Sequence, residues 1–348
     1  MNSRRVESLQ TLYPLLRNSI MKNIAIILIA LFSTNVFSST DTELSFDIVA
    51  KARALQLSKH STWHKLLHYE QQLFPRNQLV STVLSEDFFN SPEGKANPES
   101  ELTATLRAFT DPAPENPNHH AQCEFRGRYL WLKEMLDFDS LGLESIPCHD
   151  FEDWSLNGTT QSISLVLATG YLGNPASYYG HTLIKLNSSE SNDRTPLEDV
   201  TINYGAIIPE NEGSLPYIFK GLFGGYRGGF SHIQYYYHDY NYGENELRNL
   251  WEYELNLSQE EVNLVLGHSW EVLGKEYTYF FLNENCAYQM ARILEVVEGV
   301  ELLPKNTLWT LPQSLIQRLA QAKHKEKPLV KTIKYHPSRQ SRLYEKYE

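Results

Sequence analysis

Two positions in this chain have side chains suited to covalent chemistry: Cys286, preceded by Asn285, and His181, within Gly180-His181-Thr182. The residues around Cys286 predict a strand over Tyr277–Phe281 and a helix over Ala287–Val297, which puts the thiol at a helix start. The positive end of the helix macrodipole favours thiolate there. His181 opens a separate apolar, strand-like run, His181–Leu186. An imidazole titrates near neutrality and suits the role of base. A thiol and an imidazole are the working parts of a cysteine-nucleophile enzyme. Each also has a bland reading: free cysteine is commonly a buried, inert residue, and a histidine at a strand start is commonly structural.

Acyl transfer through a thiol also needs a group that orients the base and donors for the oxyanion. Asn203 and Tyr204 lie on the next strand-like segment, Ile202–Ala206. Alternation sends them to opposite faces, so at most one reaches His181. Asn203 is preferred, since a strand tyrosine is more often core; a backbone carbonyl is the alternative. The backbone N–H of Cys286 is one oxyanion donor, and Asn285, Asn283 and Ser177 are side-chain candidates that equally suit turns or caps. Arg227 is placed to meet a phosphate or carboxylate, with solvent exposure as its bland fate. It sits in the glycine-rich stretch 221–230, which reads as a flap or tight bend over the cleft and lacks the ending of a phosphate loop. Tyr235, Tyr236, Tyr237, Tyr240 and Tyr242 can wall an acyl groove, with about half of the rings turned to the core. The rival chemistry is a metal site at His60, His64 and His68. These are spaced one helical turn apart, but the outer two are too far apart for one ion. A solvated helix face is the better reading, and no metal or cofactor is expected.

The formal net charge of −11 argues against a nucleic-acid partner. Met21-Lys22 precedes an apolar run, Ile24–Phe32, about half the length needed to span a bilayer. With Val36-Phe37-Ser38 as the cleavage site this reads as a secretory signal, and residues 1–20 as an upstream extension of the reading frame. Export makes cysteine pairing favourable. Of the three cysteines, Cys123 and Cys148 are the natural pair, flanking a helical segment, Arg126–Phe138. Their loop of about 25 residues corresponds to roughly 3 kcal/mol in the loop-entropy account. Cys286 is then the free thiol.

These groups need elements to hold them. Residues 43–75 read as helical, 90–122 as a long connection rich in Pro, Asn, Glu and Thr. Strand patterns follow at 162–168, 181–186, 199–207, 232–237 and 250–255. Ser258 and Glu261 form a capping box for a helix with Val262, Leu266, Trp270 and Leu273 on its apolar face. Residues after 301 read as a short helix and a basic, mobile tail. The order is α+β, with antiparallel strands and helices to one side.

Five pieces of the chain, in order, resemble the Lnb N-terminal periplasmic domain family: Cys123–Leu132 with Cys148, Ser177–Thr182, Ile202–Ala206, Trp251–Leu257 and Asn285-Cys286. The resemblance covers roughly residues 120–300. It implies a papain-like, NlpC-related fold in permuted order, histidine before cysteine, with an N-terminal helical region added. It implies thiol-dependent N-acyl transfer to bacterial lipoproteins, with Cys286 as nucleophile and His181 as base, although the membrane portion of Lnb has no counterpart here. On this reading residues 1–38 are extension and signal, 39–120 a helical region and linker, 121–300 the thiol domain, and 301–348 a helix and basic tail. The expected setting is the periplasm, and the expected partners are an envelope lipid, a lipoprotein or a peptidoglycan-derived substrate, with room for peripheral membrane association. The alternatives are an envelope amidase or peptidase, and a non-catalytic binding module with a decayed site.

Overall fold

The apolar, β-branched runs after residue 160 pair into one seven-stranded antiparallel sheet. The computed structural model describes residues 43–72, 78–173, 177–189, 195–209, 213–304 and 309–347. The expected signal, its cleavage site and the upstream extension lie outside these residues. A small hairpin of β1 (Tyr69–Gln71) and β2 (Leu79–Ser81) comes first. The large sheet contains β3 (Thr160–Ala168), β4 (His181–Ser188), β5 (Val200–Ile207), β6 (Tyr226–Gln234), β7 (Leu250–Leu255) and β8 (Glu276–Tyr279). Two short pieces, β9 (Lys323–His324) and β10 (Lys327–Pro328), lead into β11 (Val330–His336). The order across the sheet is β11-β7-β3-β4-β5-β6-β8.

Both faces of the central strands are covered, which is why β3 reads as an unbroken apolar run rather than an alternation. Ile163, Leu165, Ile184, Leu186, Ile202 and Tyr204 face the main core. Val166, Ala168, Leu183 and Leu250 pack with Tyr235 on the other side. The fold is thus mixed α and β around an antiparallel sheet.

The longer helices are α1 (43–54), α2 (Pro98–Phe109), α3 (Arg126–Leu136), α4 (Ser214–Phe223), α5 (Gln259–Val272), α6 (Cys286–Leu294), α7 (Pro312–Gln321) and α8 (Arg339–Tyr347). The expected capping box opens α5: Glu261 accepts from the Ser258 amide at 2.8 Å, and Ser258 Oγ accepts from the Glu261 amide at 3.4 Å. Helices α3 and α5 cross where glycine meets glycine. A Cβ on Gly127 would stand 2.7 Å from the His268 amide nitrogen, and one on Gly267 2.9 Å from the Gly127 nitrogen. Cys123 and Cys148 are disulfide-bonded across the α3 segment.

Several sequence expectations need correction. The helix expected over 43–75 is broken. Gln56 takes φ 53° and His68 φ 54°, and His60 caps a separate short helix, Ser61–Leu66, by accepting from the Thr62 amide at 3.1 Å. The three spaced histidines therefore share no helix face. His64 Nε2 pairs with the Ser58 carbonyl, and His68 is fully buried against His268, Nε2 to Nε2 at 3.0 Å. The connection expected over 90–122 contains α2. Asn97 caps it and Pro98 begins it, two start signals inside a composition that otherwise resembles a loop. Leu102, Leu106 and Phe109 then bury one face.

A buried ion cluster ties this region to the sheet-bearing part. Arg128 on α3 donates to Glu101 on α2 at 2.9 Å, to Glu271 on α5 at 3.1 Å and to the Phe88 carbonyl at 2.7 Å. Its planar fork spreads Nε, Nη1 and Nη2 toward three separate partners, a reach that the compact ammonium of a lysine does not have. The basic tail also differs from expectation: residues 330–336 add to the sheet beside β7, with Lys331 on Glu254 at 2.9 Å and His336 on Glu252 at 3.1 Å. Nor is 221–230 a flap. It is the end of α4, a left-handed Gly224 cap at φ 76°, and the start of β6. A side chain at Gly224 would also meet the Phe280 ring. The strand expected over 232–237 stops at Gln234, and Tyr235–His238 turns into a short helix.

Candidate active site

Cys286 is the first residue of α6, and the preceding loop is anchored by Asn285. The Asn285 side-chain carbonyl accepts from the amides of Ala287 at 3.0 Å and Tyr288 at 3.3 Å. Its amide group donates to the carbonyls of Phe281 at 2.9 Å and Thr310 at 2.7 Å. Both ends of the side chain are occupied in holding the helix start, so Asn285 is a cap and positioning residue. The expectation that it donates to an oxyanion is corrected on that ground. The Cys286 backbone N–H, in the first turn, has no intrahelical acceptor and remains a donor for such a charge.

Cys286 is buried, at 5 % exposure, and carries the free thiol among the described residues. Helix α6 packs on β4 and β5, and His181 is the first residue of β4. The Ile184–Ile202 pairing sets the register between these strands. Alternation then puts Asn203 on the face of His181 and Tyr204 on the face of Thr182. His181 Nε2 donates to Asn203 Oδ1 at 2.5 Å. With Nε2 engaged by an acceptor, the ring's Nδ1 is left for the thiol.

The electrostatics of the pair agree with this arrangement. Burial by itself raises the Cys286 pKa, but the His181 charge and hydrogen bond, with the Thr182 amide and hydroxyl, outweigh it and bring the thiol down to about 7. Burial pulls the His181 pKa down; the Cys286 charge and hydrogen bond, with Asn203, outweigh it and the net shift is upward. Each group favours the charged form of the other, the arrangement of a thiolate–imidazolium pair. The Thr182 hydroxyl is buried and has no conventional hydrogen-bond partner, so its orientation toward the sulfur is not opposed by another acceptor.

The remaining expected site residues fall elsewhere. Tyr204 is fully buried on the opposite face of β5, packed with Phe230, Tyr277 and Tyr279, and its ring crosses Gly228. It is a core residue and its substrate role is corrected. Ser177 sits in the turn before β4, its carbonyl accepting from Tyr171 and Gly180, each at 3.0 Å. Arg227 is on β6, 57 % exposed and 3.9 Å from Glu276. Of the tyrosines expected to wall a groove, Tyr235 is core, while Tyr236, Tyr237 and Tyr240 are exposed.

Tyr242 does approach the base: its ring centroid is 6.1 Å from that of His181. It is held from both sides, stacked on His238 at 5.4 Å and under the Arg248 guanidinium at 4.6 Å. Arg248 is itself tied to the carbonyls of Thr169 and Ala168. Burial, helped by the nearby His181 charge, lowers the His238 pKa to about 4 and keeps it neutral. Sequence reasoning missed Thr182, His238 and Arg248. Thr182 alone was foreseeable, as the neighbour of His181; the other two arrive through a π-helical turn, Asp239–Asn245, that no periodicity announces.

Residues 150–322, which contain both His181 and Cys286, match the family model of the Lnb N-terminal periplasmic domain. The chain carries a member of that domain family. The matched stretch starts just after Cys148 and ends just after α7. Residues 55–135 match a second family model, a domain of unknown function (DUF7843). No curated protein and no solved structure matches the chain. The description of the Lnb-type domain makes this an envelope-related, periplasmic protein, and among the described residues no helix is long and apolar enough to cross a membrane.

Proposed function

We propose that the Lnb-type domain is a thiol enzyme of papain-like, NlpC-related type in permuted order, acting through a Cys286 acyl-enzyme. The observation that carries this is the His181–Asn203 hydrogen bond on β4 and β5, which fixes the imidazole beside a thiol whose pKa is held near neutrality. In the first step the Cys286 thiolate adds to the acyl carbonyl of a donor. The tetrahedral oxyanion meets the Cys286 backbone N–H, and the leaving group departs with the proton held by His181. In the second step an acceptor gives its proton to His181 and attacks the thioester, releasing the thiolate. Asn203 keeps the ring oriented through both steps and acts as a positioning residue.

The preferred acceptor is an amine, which makes the protein an envelope N-acyltransferase resembling those that act on lipoproteins. The support is the family of residues 150–322 together with a site that holds all three groups. The test is intact-mass analysis after incubation with phospholipid or lipopeptide donors, and separately with muropeptides. A mass increase of one acyl chain on Cys286, discharged to an added amine, supports the reading. Discharge to water alone, or turnover of muropeptides, moves it to a hydrolase. If Cys286 reacts with alkylating agents no faster than a model thiol, and Cys286→Ser changes no phenotype, the domain is a binding module instead.

A further inference from the structure

Helix α4 carries an apolar face that the fold leaves uncovered. Ile218, Phe219, Leu222 and Phe223 are 41 %, 66 %, 41 % and 69 % exposed. They recur at one-turn spacing, and the two phenyl rings lie 4.7 Å apart. The face continues toward the thiol. The Phe281 amide donates to the Gly221 carbonyl at 2.7 Å, joining the loop before Cys286 to α4. The next residue in that loop, Leu282, is 42 % exposed; its carbonyl accepts from Thr310 at 2.8 Å, beside Trp309 at 56 % exposure. The six side chains thus belong to three backbone segments that these two hydrogen bonds tie together, one of which leads into the thiol-bearing helix. Isolated exposed apolar residues need no explanation, but a connected group of this kind marks a contact surface.

We infer that this face is where the protein docks on a lipid bilayer, with α4 lying in the boundary between headgroups and acyl chains. Three observations select a bilayer. The phenyl rings are two-thirds exposed and stand off the surface; a fluid bilayer accepts such projections, whereas a protein partner needs matching pockets. Charge favours phosphate headgroups locally: residues 213–230 contain Lys220 on α4 and Arg227 on β6, the latter 3.9 Å from Glu276, and no carboxylate of their own, in a chain of net charge −11. This is the make-up of an interfacial helix, with aromatic and aliphatic residues on one face and cations beside them. Finally, the Lnb-type domain is a periplasmic one, and that compartment is bounded by membranes. Docking in this manner brings the loop before Cys286 to the lipid surface. It does not depend on turnover at the thiol.

The experiment is partition of the purified protein onto vesicles of phosphatidylethanolamine and phosphatidylglycerol, comparing wild type, the double variant Phe219→Ser/Phe223→Ser, and Cys286→Ser. The double variant is expected to partition about tenfold less or weaker, and Cys286→Ser to behave as wild type. Trp309 gives a local readout, as the difference in quenching by brominated lipid between wild type and Trp309→Phe. That difference is expected in wild type and absent in the double variant, which excludes binding through the N-terminal apolar run. Circular dichroism of the double variant checks that it is folded. Equal partition of folded wild type and double variant, or no Trp309 quenching, overturns the proposal. So does a concentration-dependent dimer in light scattering that the same substitutions dissolve, since the face would then belong to a second copy of the chain.

Discussion

Replacing His181 by alanine removes the group that most strongly favours the Cys286 thiolate, and the consequence can be worked out over the whole pH range. With its pKa at about 7, the wild-type thiol is half ionised at pH 7. Without His181 the thiol returns toward its ordinary value of 9.0, where about 1 % is ionised at pH 7. The gain in thiolate is then about fiftyfold. A thiolate of lower pKa is less nucleophilic, and with a Brønsted slope of about 0.45 two pKa units cost about eightfold. Wild type is therefore alkylated about sixfold faster than His181→Ala at pH 7, and about twelvefold faster at pH 5.5. Above the crossing, near pH 8, the order inverts and wild type is slower by up to about eightfold. The assay is the iodoacetamide rate constant from pH 5 to 10, read by mass at Cys286 under native conditions. Limited access to a buried sulfur slows both proteins and leaves the crossing in place. A wild-type profile with one inflection near pH 9 and no crossing would refute the thiolate–imidazolium pair.

Three further outcomes follow from the packing and the buried charges. Burial raises the Glu252 pKa, but His336, Lys185 and Ser164 among others outweigh it and bring it to about 2. The unfolded chain binds this proton first, near pH 4.5. The stabilisation is therefore complete above that pH and lost as pH falls toward 2, by about 3 kcal/mol, and urea titrations should show Glu252→Gln flattening that loss. His68 and His268 are held neutral by burial, His268 down to about 3. Below pH 6.5 the unfolded chain gains protons that the fold refuses. Stability should then fall by about 1.4 kcal/mol per pH unit for each histidine, and His268→Gln should reduce the slope measured by denaturant melts from pH 7 to 5. Gly127→Ala drives a methyl into the α5 backbone, where no flexible side chain can give way. A loss of about 3 kcal/mol is expected in urea unfolding, and a neutral result would mean that the α3–α5 crossing is misread.

Much of the site was legible because its signals are local. A cysteine after a capping asparagine, a histidine at the head of an apolar run and the Ser258–Glu261 box each depend on residues a few positions apart. The pairing of Cys123 with Cys148 was legible because an odd count in an exported chain leaves few options. Asn203 was legible only as one of two choices, since alternation offers both faces. The N-terminal region was misread for a related reason. Its composition fits a continuous helix and a loop, but backbone turns at Gln56 and His68 and the burial of Leu102 and Phe109 are set by partners far along the chain.

By itself, then, the sequence determined which side chains can do chemistry and which kind of element each one starts. Helix starts, strand alternation and charge are written in nearest neighbours, and those are what a single chain displays. Only the tertiary structure decided that β4 and β5 pair in the register that turns Asn203 toward His181 and Tyr204 into the core. Only it decided that α6 would bring Cys286 down beside His181 and Thr182, which together lower the thiol's pKa by more than burial raises it. Register and helix docking are settled by the joint burial of residues such as Ile184, Ile202 and Met290. That free energy belongs to groups more than a hundred positions apart and does not exist until they meet.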